Sequence, residues 1–310
     1  MPNKITAIIP TKNRHDELMQ IIGSLIEQTQ EVDQIVIVDQ SDESSLEDIK
    51  KNLAKSRKKI NLVYIHDKNI SGLPQAKNIG VRKSSGRIIF FFDDDMILHK
   101  DYIENILEVY KKLPEAAGVG GVQSDKKSLV RAAIRRIFQR GPFCDERIYF
   151  ALTKSKVTCP IKIGLLSGGL SSFRRDIFEK YLFDENLVGY ALGEDADFCF
   201  RASKENIFFI YPLAKAVHKK SPLNRYSVKM MFESKICRNA YFYRKNVEKR
   251  LINRMAYLWL NSGLFLDSLF FTIRFWSLDA MKGLFSGYRK ISNNFENVSF
   301  IKNGNFRFKK

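Results

Sequence analysis

The sequence predicts an α/β fold, with a mainly parallel central sheet flanked by helices and a helical C-terminal extension. Three observations carry that expectation. Near-continuous apolar runs alternate with stretches whose apolar residues recur at helical spacing, as in parallel sheets buried on both faces. Polar clusters follow three of the apolar runs, at 11–14, 39–42 and 93–95, and ligands bind such sheets beyond the carboxyl ends of the strands. The charge is divided: residues 1–200 carry 30 Lys+Arg against 28 Asp+Glu, whereas residues 201–310 carry 22 against 6. The 310 residues, at roughly 100–200 per domain, are expected to form a first domain over 1–225 and a basic, aromatic-rich helical extension over 226–310.

The elements follow in order. The run at 5–9 (ITAII) is a strand ended by Pro10, and 15–28 is a helix with Leu18, Ile21, Ile22, Leu25 and Ile26 on one face. Strands at 34–38 (QIVIV) and 61–65 (NLVYI) bracket a short helix at 45–54. A helix at 73–83 precedes 87–92 (RIIFFF), a strand buried on both faces. From 124 to 160 the pattern loosens around a basic stretch at 131–140, either a mobile acceptor-side loop or a surface excursion containing a helix. Helices are expected at 174–181 and 194–204, a strand at 207–211, and helices beyond 227.

Composition narrows the chemistry. With 45% hydrophobic and 12% aromatic residues the chain has a sizeable core to bury and is not a disordered sequence. Cys144, Cys159, Cys199 and Cys237 form no C-x-x-C pair, which points to reduced thiols in a cytoplasm. The apolar run near the N-terminus is too brief for a secretory signal. The basic C-terminal third suggests an anionic partner. No helix-turn-helix, RNP strand or zinc finger accompanies it, so nucleic acid is not expected. Asp93, Asp94 and Asp95 follow a buried strand, and three adjacent carboxylates call for a compensating cation. Alternate residues at a strand end point the same way, so Asp93 and Asp95 can share a site while Asp94 points elsewhere. Hard oxygen ligands favour Mg²⁺ or Mn²⁺.

Five segments change the weight of that acidic run: IIPTKNR at 8–14, IVIVDQSD at 35–42, GLPQAKNIGVRKSSGRIIFFFDDDM at 72–96, LLSGGLSSFRRDIF at 165–178 and GEDADFCFR at 193–201. Their order and spacing, over roughly 4–220, resemble the family 2 glycosyltransferases, nucleotide-sugar-dependent enzymes of the GT-A (Rossmann-like) fold. The resemblance implies a nucleotide-sugar site at Pro10, Thr11, Asn13, Arg14, Asp39, Lys77, Asp93, Asp94, Gly168 and Gly169, with Asp42 a weaker candidate. Asp39 would accept from a base N–H, and Lys77, in the A-[RK]-N-x-G segment, would lie near base or phosphate. Asp95, Asp93 and His218 would hold Mn²⁺ or Mg²⁺. Asp195, beside Glu194 in the E-D pair, would be the catalytic base. Adjacent acids opening a helix also have a plain reading as a cap.

The implied reaction is a one-step inverting displacement, in which a carboxylate takes the acceptor hydroxyl's proton as attack proceeds. The expected donor is a UDP- or dTDP-sugar and the acceptor a saccharide or a lipid-linked saccharide, in bacterial surface polysaccharide or lipopolysaccharide assembly. The Q-x-x-R-W motif and multiple spans of processive relatives are missing, so a single addition is expected. A sugar nucleotidyltransferase would need a Gly-rich loop where Pro10 to Asn13 stand. A catalytically inactive saccharide- or membrane-binding relative is the other alternative. Residues 256–281 are long and apolar, but Asp267 and Arg274 interrupt them. Leu258, Trp259, Phe265, Leu266, Leu269, Phe270, Ile273 and Trp276 share one arc of a helical wheel, with basic flanks. That suits an interfacial helix better than a span, with packing on the core or on a second subunit as the rival. Peripheral membrane contact through 245–290 at the cytoplasmic face is therefore expected, and a homodimer is allowed.

Overall fold

The computed structural model describes residues 4–56, 58–123, 129–145, 147, 157–187, 191–219, 221, 223 and 226–293. The chain divides into two compact units, one of Met1–Asp125, Ser155–Glu185 and Glu194–Asn224, the other of Lys126–Lys154, Asn186–Gly193 and Arg225–Lys310.

In the first unit the elements run β1 (Ile5–Thr11), α1 (His15–Ile26), β2 (Gln34–Asp39), α2 (Leu46–Ala54), β3 (Asn61–His66), α3 (Leu73–Lys83) and β4 (Ile88–Phe92). Every residue of β1, β2 and β4 is buried, as expected of strands covered on both faces. They pair in parallel in the order β3-β2-β1-β4. Leu18, Ile21, Ile22 and Leu25 of α1 supply one side of the core, against alternate residues of the sheet such as Ala7, Ile9, Phe90 and Phe92.

Beyond β4 the sheet becomes mixed. β5 (Met96–Leu98), α4 (Tyr102–Lys112) and β6 (Ala116–Gln123) precede α5 (Leu129–Phe138), which belongs to the second unit, and β7 (Ile161–Ile163) and β8 (Leu170–Arg174) follow. Next come α6 (Ile177–Lys180), α7 (Glu194–Ala202) and β9 (Ile207–His218). β8 inserts antiparallel between β4 and β6, β6 pairs in parallel with β9, and β5 and β7 both run antiparallel to β9. The parallel arrangement thus holds throughout the first half of the sheet and, in the second, for the β6–β9 pair. The helix expected at 174–181 shrinks to the four residues of α6, because Arg174 still belongs to β8 and donates its Nε to the Ala116 carbonyl at 2.8 Å. The strand expected at 207–211 continues through Pro212 to His218. The loosened stretch contains α5; residues 124–128, 146 and 148–156 of it lie outside the described residues.

The second unit is helical: α5, a single 3₁₀ turn at Gly141–Phe143, α8 (Val228–Asn246), α9 (Leu251–Phe275) and α10 (Asp279–Asn293). The apolar run at 256–281 is not one helix. Trp276 adopts a left-handed conformation, φ +49°, which ends α9, and the chain turns into α10. Phe143 packs among the rings of Phe242, Tyr243 and Tyr257, and Phe138 packs on Trp259 at 4.7 Å between centroids.

Candidate active site

The site assembles where β1 and β4 end. Phe90, Phe91 and Phe92 are fully buried, so the strand delivers its three aspartates at a fixed position. Asp94 turns toward the chain that leaves β1. It accepts from Thr11 Oγ1 at 2.8 Å and Arg14 Nη1 at 2.9 Å. Burial pushes its carboxyl up to about 6, against the opposing pull of Arg14 and Thr11.

Asp95 faces β9. Its Oδ1 lies 2.9 Å from His218 Nε2, its Oδ2 accepts from the Ser221 amide at 3.0 Å, and Arg14 Nη1 stands 3.9 Å away. Burial opposes its ionisation, but the His218 ring, Arg14 and the Ser221 amide together outweigh it and hold the carboxyl below its usual value. Asp93 is pushed the other way. Burial raises it most; the charges of Asp95 and Asp195 add to the rise, while Lys77 and His218 oppose it.

The ligand atoms of Asp93, Asp95 and His218 lie within 4.8 Å of one another. Two carboxylates and an imidazole form a donor set that fits a divalent cation.

The loop before β8 closes the other side. The Asp93 amide donates to the Gly169 carbonyl at 3.1 Å, and a Cβ on Gly169 would sit 2.0 Å from the Asp93 carboxyl carbon. The neighbouring Gly168 gives its N–H to Asp195 Oδ2 at 3.3 Å, and a Cβ there would meet Glu194 Oε1 at 2.2 Å. Only glycines allow this approach. Asp195 is partly exposed, and its Oδ1 accepts from the Ala196 amide at 2.8 Å.

Two of the expected site residues in this region lie inside the protein. Lys77, expected beside base or phosphate, is 1% exposed; its Nζ donates to Glu194 Oε1 at 2.6 Å and to the Gly168 carbonyl at 2.8 Å. The ammonium also lies over the rings of Phe91 and Phe183, 5.6 and 5.0 Å from their centroids. The helical face that carries Lys77 points into the protein, so its charge binds α7 and the glycine loop. Glu194, expected beside Asp195 in catalysis, is its buried partner. Burial raises its carboxyl to about 7, Lys77 pulling the other way, and its Oε2 has no hydrogen-bond partner among the described residues.

Asp39 is also buried. Expected to accept from a base N–H, it is fully buried, accepting from the Ser41 amide at 2.8 Å and from the Tyr64 hydroxyl. It holds the loop after β2 in shape. Asn13, at φ +51°, ties the two loops together: its amide donates to Ser41 Oγ at 2.7 Å and its side chain exchanges hydrogen bonds with Asp42. Asn tolerates the left-handed region better than most residues. Pro10 is buried in β1, opposite Val38 of β2. Sequence reasoning missed Ser221, Ser41, Tyr64 and His66, whose Nε2 lies 2.8 Å from the Ser41 carbonyl. Ser41 lies in the 35–42 segment without being singled out there, and the other three sit in no motif; each is identified only by the contact it makes.

Comparison with known proteins adds three findings. Residues 6–182 match the family described as "Glycosyl transferase family 2". An uncharacterised glycosyltransferase of Rickettsia bellii is 29% identical over 211 residues, 66% of this chain and 27% of the relative. The poly(ribitol-phosphate) β-N-acetylglucosaminyltransferase TarP of Staphylococcus aureus is 26% identical over 163 residues, 50% of this chain and 48% of the relative. The chain thus spans less than half the length of either curated relative. Among solved structures, the mannosyltransferase PcManGT of Pyrobaculum calidifontis, in complex with GDP-Man and Mn²⁺, superposes with a TM-score of 0.62 over 96% of this chain and 89% of its own. At 14% identity that likeness establishes the fold alone.

Proposed function

The chain belongs to glycosyl transferase family 2, and we propose that it moves one sugar, with inversion, from a nucleoside-diphosphate sugar to a saccharide or lipid-linked saccharide. The observation that carries the reading is the convergence of a cation-binding set, Asp93, Asp95 and His218, with a carboxylate, Asp195, close enough to raise the Asp93 pKa. In this reading residues 1–225 are the transferase domain and 226–310 an extension. Surface polysaccharide or lipopolysaccharide assembly in a bacterium is its setting; the name of the Staphylococcus relative, a poly(ribitol-phosphate) β-N-acetylglucosaminyltransferase, supports it. The site is cytoplasmic, with peripheral membrane contact through 245–290.

The chain's own residues have distinct tasks. Asp195 takes the proton from the acceptor hydroxyl as its oxygen bonds to the anomeric carbon and the bond from that carbon to the diphosphate breaks. The Gly168 and Ala196 amides fix the direction of that carboxylate. Asp93, Asp95 and His218 would hold a divalent cation, which supplies positive charge for the leaving diphosphate. Arg14, 2.9 Å from Asp94, and Thr11 shape the nucleotide side with Asn13, while Lys77 and Glu194 act from behind as positioning residues. Gly168 and Gly169 leave room for the donor sugar. The donor base is uracil or thymine in the sequence reading; the guanosine donor of the archaeal structure makes GDP-sugars a necessary comparison.

The test is nucleoside-diphosphate release from a panel of UDP-, dTDP- and GDP-sugars with Mn²⁺, Mg²⁺ or EDTA, with a saccharide acceptor and with membrane extract. Release from one donor, dependent on metal and lost in Asp95→Ala and Asp195→Asn, is the expected result. Near-normal transfer by Asp195→Asn with donor binding intact removes Asp195 as the base. Donor binding without release under every condition favours the inactive relative.

A further inference from the structure

The polarity of α9 is reversed for a helix on a water-soluble surface. Asn261 and Ser268 are buried, and Asp267 is largely so; Asn261 accepts from Tyr288 of α10 at 3.0 Å, and Asp267 pairs with Lys235 of α8 at 3.2 Å. The outward face carries Leu251, Ile252, Leu258 and Ile273, each at least 65% exposed, and Trp276, which ends the helix, is 95% exposed. The stripe follows helical spacing over the 25 residues of α9, a length of about 37 Å. In water an amphipathic helix buries its apolar stripe and exposes its polar one. The outward face of α9 is therefore built for an apolar surrounding.

Charge identifies that surrounding. Residues 244–293 carry nine Lys+Arg against three Asp+Glu, and Lys249, Arg250, Arg254, Arg274 and Lys282 are exposed along and beside the stripe. We propose that α9 lies in the plane of an anionic bilayer, its outward face in the hydrocarbon margin and the flanking cations on lipid phosphates. The proposal rests on the membrane contact of the preceding section and assigns it to one face of one helix. A span by α9, which is long and apolar enough to cross a bilayer, would draw the Lys235–Asp267 pair and the basic helices packed on it into hydrocarbon. A second copy of the chain would bring the same cations against each other.

The experiment adds full-length protein to preformed vesicles of phosphatidylcholine with or without phosphatidylglycerol and follows flotation and tryptophan emission. The chain's two tryptophans are Trp259 within α9, 47% exposed and packed on Phe138, and Trp276 at its end, 95% exposed, so the native emission reports on this helix, chiefly through Trp276. Expected are a blue shift with phosphatidylglycerol vesicles, binding at least about tenfold weaker to neutral ones, and a fall on the order of 100-fold in Leu258→Glu/Ile273→Glu. Both positions are exposed, so the fold tolerates the change, and circular dichroism checks it. Neither donor nor metal enters the assay, so failure of the transferase reading leaves this result untouched. The proposal is overturned if vesicles bind neither form or bind both forms equally. It is also overturned if the wild type is a dimer that the double substitution dissociates without vesicle binding. A protein that stays in solution only with detergent and does not exchange between vesicles is a span, which overturns it too.

Discussion

Replacing Lys77 by methionine tests whether the Lys77–Glu194 pair is a buried, charge-coupled clamp. The two groups are 2.6 Å apart, at 1% and 5% side-chain exposure. Methionine keeps most of the volume but leaves Glu194 without its ammonium. A buried carboxylate in that position keeps its proton to higher pH rather than face an apolar wall as an anion. In the wild type Glu194 titrates at about 7, so above that pH folded and unfolded states both carry the charge. In the variant the folded state stays protonated and the unfolded state does not, so each pH unit removes about 1.4 kcal/mol. Between pH 7 and about 8.5 the penalty of the substitution should therefore grow by about 2 kcal/mol. It adds to a pH-independent loss of about 1–3 kcal/mol from the Gly168 carbonyl, which loses a buried donor. Urea unfolding of both proteins at the two pH values, with Lys77→Met/Glu194→Gln as the control whose penalty is flat, measures the difference. A Lys77→Met penalty equal at both pH values would refute the reasoning.

The same carboxyl gives a second pH signature. Its folded pKa lies above the usual 4.5, so the folded state binds the proton more tightly, and wild-type stability should fall as pH rises from about 4.5 to 7. Glu194→Gln should lose that slope in the same urea series. Gly169→Ala would place a Cβ 2.0 Å from the Asp93 carboxyl carbon; it should abolish the thermal shift given by Mn²⁺ and lower transfer by about 100-fold or more while circular dichroism stays native. Asn13→Ala should cost about 1–2 kcal/mol in thermal unfolding, because it loses the Asp42 bridge at a positive φ. Asn13→Gly should recover the part due to backbone strain and not the part due to the bridge.

The first half of the sheet was legible because β1, β2 and β4 are buried on both faces and read as apolar runs, and β3, only half-buried, still carries the apolar run NLVYI. The second half was not. β8 is LSSFR, whose Ser171 and Ser172 look like a loop; Ser172 is satisfied inside the protein by donating to the Val119 carbonyl at 2.8 Å. β6 is AAGVGGVQ, too rich in glycine to read as a strand, yet a Cβ at Gly118 would sit 2.7 Å from the Phe173 ring and one at Gly121 2.4 Å from Tyr102. β9 passes through Pro212 and then alternates exposed Leu213, Lys215 and Val217 with buried Ala214 and Ala216. Only that continuation brings His218 opposite Met96, one residue from Asp95. The helical stripe of α9 was legible from its spacing, but its outward direction was not, since a wheel gives a face and no orientation.

The acidic pair at 194–195 makes the same point in chemical terms. The two residues are adjacent carboxylates, and apart from the family resemblance, which implies Asp195, their types alone do not decide which one meets a substrate. The structure separates them by what surrounds each. Glu194 is turned inward against Lys77, with Phe91 and Phe183 beneath the ammonium, and titrates at about 7 because it is buried. That value would suit a general base near neutral pH, and on acidity alone Glu194 would be chosen. A base must also reach the proton it removes. Glu194 Oε1 is bonded to Lys77, and the whole residue is 4% exposed, behind a glycine that has no room for a Cβ. Asp195 is partly exposed, and two backbone amides fix its direction. Reach supports the proposed role of Asp195, and in that proposal Glu194, through Lys77 and the Gly168 carbonyl, keeps in place the loop whose N–H orients it.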